Sequence, residues 1–292
     1  MFGKNEIVGQ KYFKEAPDDQ LFVTSMFMTL QGEGPYRGEP AFFIRLAKCN
    51  LACSFCDTFF DDGDWLTFDE IERKVEATIE DFYRDQNMDR PVWTKHNDSS
   101  KKKMVLVMTG GEPTLQKNLG PFLDRMSAIF NHTQIESNGI VYQPSIPSST
   151  TIVISPKCTE KDGVATRYIK PNLDNLRVAS CLKFVMSADP TSPYSDIPDW
   201  AHQWASETGK PVFISPMNVY NDEPRKSKEL RNSGKNRIEI EERSTVDEVI
   251  SFWEEGLLDM GENQKNHEYA AKFCVKHGYI LNLQIHLYAS LA

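Results

Sequence analysis

Cys49, Cys53 and Cys56 stand three and two residues apart, in Cys-Asn-Leu-Ala-Cys-Ser-Phe-Cys. Three thiols this close cannot all pair as disulfides, because one sulfur is always left over. They can close on one face of a metal centre. A structural zinc would take a fourth Cys or His at a second paired spacing. No second Cys pair follows, and the next His after Cys56 is His96. An iron–sulfur cubane normally takes four thiolates, so three would leave one iron open to an outside ligand. The bland alternative is a set of buried or redox-active thiols.

Two further features carry chemistry. Arg45 lies inside the apolar run Ala41 to Ala47. A guanidinium there is costly without an anion, and its fork suits a carboxylate. Either a bound acid or an internal Glu would satisfy it. Thr109-Gly110-Gly111-Glu112-Pro113 follows the apolar run Met104–Met108. Its glycines would let a ligand approach the backbone, or they would merely make a strand-to-helix turn.

The elements that must position these groups read as alternating strands and helices. Strands are expected at Leu21–Met28, Ala41–Ala47, Met104–Met108, Thr133–Ile135, Thr151–Ile154, Leu182–Met186 and Pro211–Ile214. The continuous apolar runs are those of strands covered on both faces. Thr67-Phe68-Asp69-Glu70 is a capping box, opening a helix with Phe68, Ile71, Val75, Ile79 and Phe82 at helical spacing. Further helices have Pro121 near a first turn with Phe122, Met126 and Ile129 on one face, span Trp200–Ser206, start at Ser244, and carry Tyr269, Ala270 and Phe273. Tyr279–Leu287 reads as a last strand or extended tail. Asp85–Lys103 reads as a surface insertion with a solvated lysine run, and Asn218–Glu242 as a charged flexible loop. Alternation of this kind builds a parallel sheet with right-handed crossovers. Ligand sites gather at the carboxyl ends of such strands. The cysteine loop, Thr109–Pro113, Glu136–Gly139 and Ser155–Lys157 all follow strand ends, so they would surround one site.

The 292 residues carry a net charge of −9, with 40% hydrophobic and 11% aromatic residues. That charge argues against a nucleic-acid binder, which needs a basic face. No apolar run is long enough to span a bilayer, and the polar first 20 residues are no secretory signal. A cytoplasmic location follows, where thiols stay reduced. Cys158, Cys181 and Cys274 are scattered and read as small core residues.

The cysteine loop, with Phe55 before its last Cys, and Gly-Gly-Glu-Pro resemble the radical S-adenosylmethionine superfamily. Gln31-Gly32-Glu33-Gly34, Phe43-Ile44-Arg45, Cys49-Asn50-Leu51, Cys56-Asp57-Thr58 and Gln284-Ile285-His286 resemble the 7-carboxy-7-deazaguanine synthases within it. The resemblance covers Phe22 to Ala292 apart from the two charged stretches. It implies a single domain over 1–292, an open, incomplete TIM-like (β/α) barrel. The core would span 21–216, with a charged insertion at 217–243 and C-terminal helices and tail at 244–292.

It also implies roles. Cys49, Cys53 and Cys56 would hold a 4Fe–4S cluster, whose open iron S-adenosylmethionine chelates. Phe55, Cys56, Asp57, Gly110, Gly111, Glu112, Glu136, Ser137, Ser155, Pro156 and Lys157 would bind that cofactor. Leu30, Gln31, Gly32, Arg45, Thr109 and Ala292 would border the substrate, 6-carboxy-5,6,7,8-tetrahydropterin, with Thr58 on a magnesium ion beside the substrate carboxylate. The ring would contract with loss of ammonia. A homodimer and a flavodoxin-type electron donor are the implied partners. Leu287 departs from the basic residue that often follows the His of the tail. A glycyl-radical activase would share the cysteine loop and Gly-Gly-Glu-Pro. It would need neither Arg45 nor Thr58, and it would present an open groove to a protein substrate. A non-enzymatic electron carrier would want a fourth protein ligand.

Overall fold

The computed structural model describes residues 6–56, 58–97, 100–161, 163–221, 252–253 and 256–289. Strands β1 (Gln20–Leu30) and β2 (Pro40–Leu46) pair antiparallel. A short β3 (Asp64–Thr67), absent from the sequence expectations, adds to the far side of β1. From β2 onward the sheet is parallel. It continues through β4 (Lys102–Gly110), β5 (Phe130–Ser137), β6 (Thr151–Ile154), β9 (Cys181–Met186), β10 (Val212–Pro216) and β11 (Ile280–Leu281). The nine strands lie in the order β11-β10-β9-β6-β5-β4-β2-β1-β3. The sheet is open, as expected of an incomplete barrel.

The core lies between the sheet and its crossover helices. Helix α1 (Phe68–Asp85) begins at the expected capping box, with the Thr67 side chain accepting from the Glu70 N–H and Glu70 from the Thr67 N–H. It buries Phe68, Ile71, Val75, Ile79 and Tyr83. Tyr83 takes the place expected of Phe82, which is only partly buried. Helices α2 (Leu119–Ser127), α3 (Leu173–Val178), α4 (Asp199–Thr208) and α5 (Met260–His277) follow. Leu119, Phe122, Leu123 and Met126 of α2 join Ala201 and Trp204 of α4 and Ala270 and Phe273 of α5 in one apolar cluster. Cys158, Cys181 and Cys274 are all buried.

Several expectations need correction. Lys102 of the lysine run is fully buried at the start of β4, donating to the Thr94 carbonyl at 2.9 Å and pairing with Glu76. Arg90 also pairs with Glu76 at 2.7 Å and Thr94 is buried, so Arg90, Thr94 and Lys102 are anchored rather than loosely inserted. The tail forms β11 and then a helix, α6 (Ile285–Ala289), in place of one extended segment. A hairpin, β7 (Cys158–Lys161) and β8 (Val164–Tyr168), and helix α3 were not anticipated. The stretch 222–251 lies outside the described residues, and with it most of the charged loop and the start of the Ser244 helix. Among the described residues, no helix is long and apolar enough to cross a membrane.

Candidate active site

The carboxyl ends of the parallel strands open onto one cavity of about 270 Å³. In parallel pairing, side chains in register point to the same face, so Arg45 of β2 and Thr109 of β4 stand side by side. Both line the cavity, as do all three cysteines, Leu30, Gln31, Phe55, Thr58, Gly110, Gly111, Glu112, Glu136, Ser137, Ser155 and Lys157. Gly32 and Pro156 lie just outside its lining. Asp57 and Ala292 lie outside the described residues.

The glycines are required by contact. A Cβ on Gly111 would lie 1.9 Å from the Lys48 carbonyl oxygen. Gly110 has φ 113°, and a Cβ there would lie 2.3 Å from backbone atoms of Leu46. The strand end therefore runs against the base of the cysteine loop, and Glu112 N–H donates to the Lys48 carbonyl at 2.9 Å.

Glu112 is 1% exposed. Its Oε1 accepts from the Thr114 N–H, the Thr114 hydroxyl and the Ser137 hydroxyl, and its Oε2 from the Asn138 N–H at 2.7 Å. Burial outweighs these donors and pushes its carboxyl above the usual range. The Asn138 amide then donates to Asn50 Oδ1 at 2.7 Å. One carboxylate thus ties the end of β4 to the end of β5, and through Asn138 to the cysteine loop.

Arg45 donates to the Thr58 hydroxyl at 3.0 Å and lies over the Phe27 ring at 5.1 Å. Burial raises Cys49 to about 12, with the Glu112 carboxylate adding to it, and raises Cys53 to about 12 against the pull of Lys157. Without metal the site keeps these thiols protonated, so metal binding would release protons.

The same cavity holds a charge cluster not expected from the sequence. Lys183 of β9 places Nζ 2.8 Å from Glu33 Oε2 and 2.6 Å from Glu136 Oε2. Glu33 also accepts from Ser215 at 3.0 Å and from Asn282 Nδ2 at 3.1 Å. Burial alone would lower Lys183, but Glu136 and Glu33 together raise it. Burial would raise both carboxyls. Lys183 prevails at Glu33, which is lowered, and burial prevails at Glu136, which is raised. Glu136, expected beside a cofactor ribose, is thus engaged by Lys183 and by the Gln134 amide at 2.8 Å. Lys157 donates to Ser155 Oγ at 2.6 Å and to its carbonyl at 2.8 Å, and burial lowers it.

An open, mostly parallel α/β sheet with three thiols and a Gly-Gly-Glu-Pro turn at its strand ends is the arrangement of a radical S-adenosylmethionine enzyme. No protein-family model matches the chain. The chain is 34% identical over 218 residues to the 7-carboxy-7-deazaguanine synthase of Rickettsia prowazekii (strain Madrid E), which covers 75% of this chain and 81% of that protein. It is 30% identical over 230 residues to the same enzyme of Rhodospirillum rubrum, covering 75% and 83%. QueE from Escherichia coli shares the fold, with a TM-score of 0.52 over 95% of this chain and 99% of that one, at 17% identity. The chain belongs to the 7-carboxy-7-deazaguanine synthase family.

Proposed function

We propose that this chain makes 7-carboxy-7-deazaguanine from 6-carboxy-5,6,7,8-tetrahydropterin, with Cys49, Cys53 and Cys56 holding a 4Fe–4S cluster. The observation that carries the reading is that Arg45 and the three cysteines line one cavity, so an acid-bearing ring and a cluster would share it.

When bound, the cluster and S-adenosylmethionine supply one-electron chemistry, a carbon radical able to take hydrogen from the substrate. This chain's residues bind and orient. The backbone of Gly110 and Gly111 lines the cavity where the cofactor would lie, with Ser137, Ser155 and Lys157 beside it. Arg45 takes the substrate carboxylate, bordered by Leu30, Gln31 and Thr109. Thr58 would supply one oxygen to a magnesium ion beside the substrate carboxylate, since magnesium favours oxygen ligands. Glu33 and Glu136 present acceptors to the polar edge of the ring, and Lys183 holds them in place. Family membership supports a homodimer, a flavodoxin-type electron donor and a cytoplasmic location.

The test is anaerobic reconstitution with iron and sulfide, then reduction with S-adenosylmethionine, magnesium and the carboxy-tetrahydropterin. Release of 5′-deoxyadenosine together with the deazaguanine acid is expected. Release of 5′-deoxyadenosine with the pterin left intact would assign a different substrate.

A further inference from the structure

The chemistry proposed above uses nothing from residues 6–16, yet this segment lies against the cysteine loop. Ile7 bridges Cys49 in parallel, and the Val8 N–H donates to the Cys49 carbonyl at 2.9 Å. Val8 and Phe13 are buried with Leu115 and Val141, which fixes the segment from behind. Lys48 sits at the junction. It is 6% exposed and has φ 72°, a conformation disfavoured for any residue with a side chain.

The surroundings of Lys48 hold it there. Its N–H donates to the Phe60 carbonyl at 2.6 Å, which joins the two ends of the stretch 49–60 through the main chain. Its ammonium lies 3.0 Å from Asp61 Oδ1 and 3.0 Å from Glu6 Oε2, joining the same two ends through side chains. Asp61 Oδ1 also accepts from the Glu6 N–H at 2.9 Å. The three cysteines therefore lie in a compact loop whose neck is closed twice. Ordering such a loop when metal arrives would cost affinity, whereas closing it during folding removes that cost from binding.

We propose that Lys48, with Asp61 and Glu6, is a clasp that holds the three-cysteine loop closed before any cluster binds. Lys48 is thus a positioning residue for the site. The proposal rests on reading the three thiols as cluster ligands. Asp61 is the stronger partner, because its side chain is 25% exposed against 67% for Glu6.

The experiment compares wild type with Lys48→Met, Lys48→Arg, Asp61→Asn, Glu6→Gln and a remote control, Lys102→Met. Lys102 is a buried, paired lysine at the opposite end of β4. Amide exchange over residues 49–60 is read by mass spectrometry in the metal-free protein, then iron and sulfide uptake and the EPR spectrum of the reduced cluster. Lys48→Met is expected to exchange about tenfold faster in this loop, as loss of hydrogen bonds to a charged group implies. It should take up iron more slowly and give a broadened spectrum. Lys48→Arg restores these properties, and Asp61→Asn exceeds Glu6→Gln. Unchanged exchange in Lys48→Met overturns the clasp. Equal loop opening in Lys102→Met also overturns it, since the effect would then be general loss of stability. If wild type itself takes up no iron, the cluster reading fails, and amide exchange still decides whether the clasp exists.

Discussion

Arg45 and Lys183 bring two positive charges into one cavity, but their partners differ. Arg45 donates to the Thr58 hydroxyl and lies over the Phe27 ring, on the cavity wall where the proposed acid would bind. Arg45→Lys keeps the charge and loses the fork. The expected result is a fall in kcat/KM for the carboxy-pterin of roughly 10- to 100-fold, mostly in KM, as loss of a bidentate charged contact implies. Steady-state kinetics check it. An unchanged KM would take the carboxylate away from Arg45. Lys183 instead sits between two buried carboxylates. Its own raised value means its stabilisation is complete at neutral pH and lost only as alkali rises through the folded value. Glu33, lowered, stabilises above the ordinary carboxylate range and loses that as pH falls; Glu136, raised, opposes folding in its charged form. Lys183→Met strands both charges. It should cost on the order of 3–5 kcal/mol near neutral pH, the usual loss when one partner of a buried pair is removed. The loss should shrink toward pH about 5 as the carboxyls protonate. Urea unfolding at the two pH values measures it, and a loss that stays constant with pH would mean the carboxylates are not the cause. Arg45 was legible because a charge interrupts an apolar run. Lys183 sends the same signal from Cys-Leu-Lys-Phe-Val-Met, a run whose apolar residues alone read as a strand.

At the scale of elements, legibility followed the strength of local rules. The capping box at Thr67 and the long apolar strands are specified by neighbouring residues, and they form where expected. The hairpin β7–β8 has no such pattern: Cys-Thr-Glu-Lys and Val-Ala-Thr-Arg-Tyr are short, mixed and half exposed. It is held by what it docks on. Glu160 accepts from the Ser54 N–H at 2.7 Å, and Tyr168 packs edge-on against Phe184 and Tyr194. Tyr194 in turn meets Phe55 edge-on and accepts from the Cys158 N–H, so the hairpin supports the outer side of the cysteine loop. The Tyr168 hydroxyl is buried with no hydrogen-bond partner among the described residues. Tyr168→Phe removes the cost of burying it and is expected to leave the fold unchanged or gain about 1 kcal/mol. Thermal unfolding checks this. A loss of more than that amount would show that the hydroxyl has a partner.

For the molecule as a whole, the open sheet poses a problem of closure, since β1 and β11 stand far apart in its strand order and in sequence. Contacts from the tail to the loop after β1 join them. Asn282, fully buried just past β11, accepts from the Gly34 N–H at 2.8 Å through Oδ1. Its amide donates to Ser215 at 2.7 Å and to Glu33 at 3.1 Å. Helix α6 then brings His286 so close to Gly32 that a Cβ there would lie 2.0 Å from its Nδ1. No local pattern marks Asn282 in the sequence, because its partners are residues 34 and 215, brought near only by the finished sheet. Asn282→Ala leaves the Gly34 N–H and one Glu33 oxygen without this donor and acceptor. The expected cost is about 2–4 kcal/mol, from buried polar groups losing their partners. The sheet itself does not depend on this side chain. The loss should therefore appear first as release of the tail, with earlier proteolysis after residue 282 and a higher KM for the carboxy-pterin. Limited proteolysis of the metal-free protein separates the outcomes. Cutting throughout the chain at the same rate as in the tail would mean that Asn282 supports the core, and that the cavity is closed by something else.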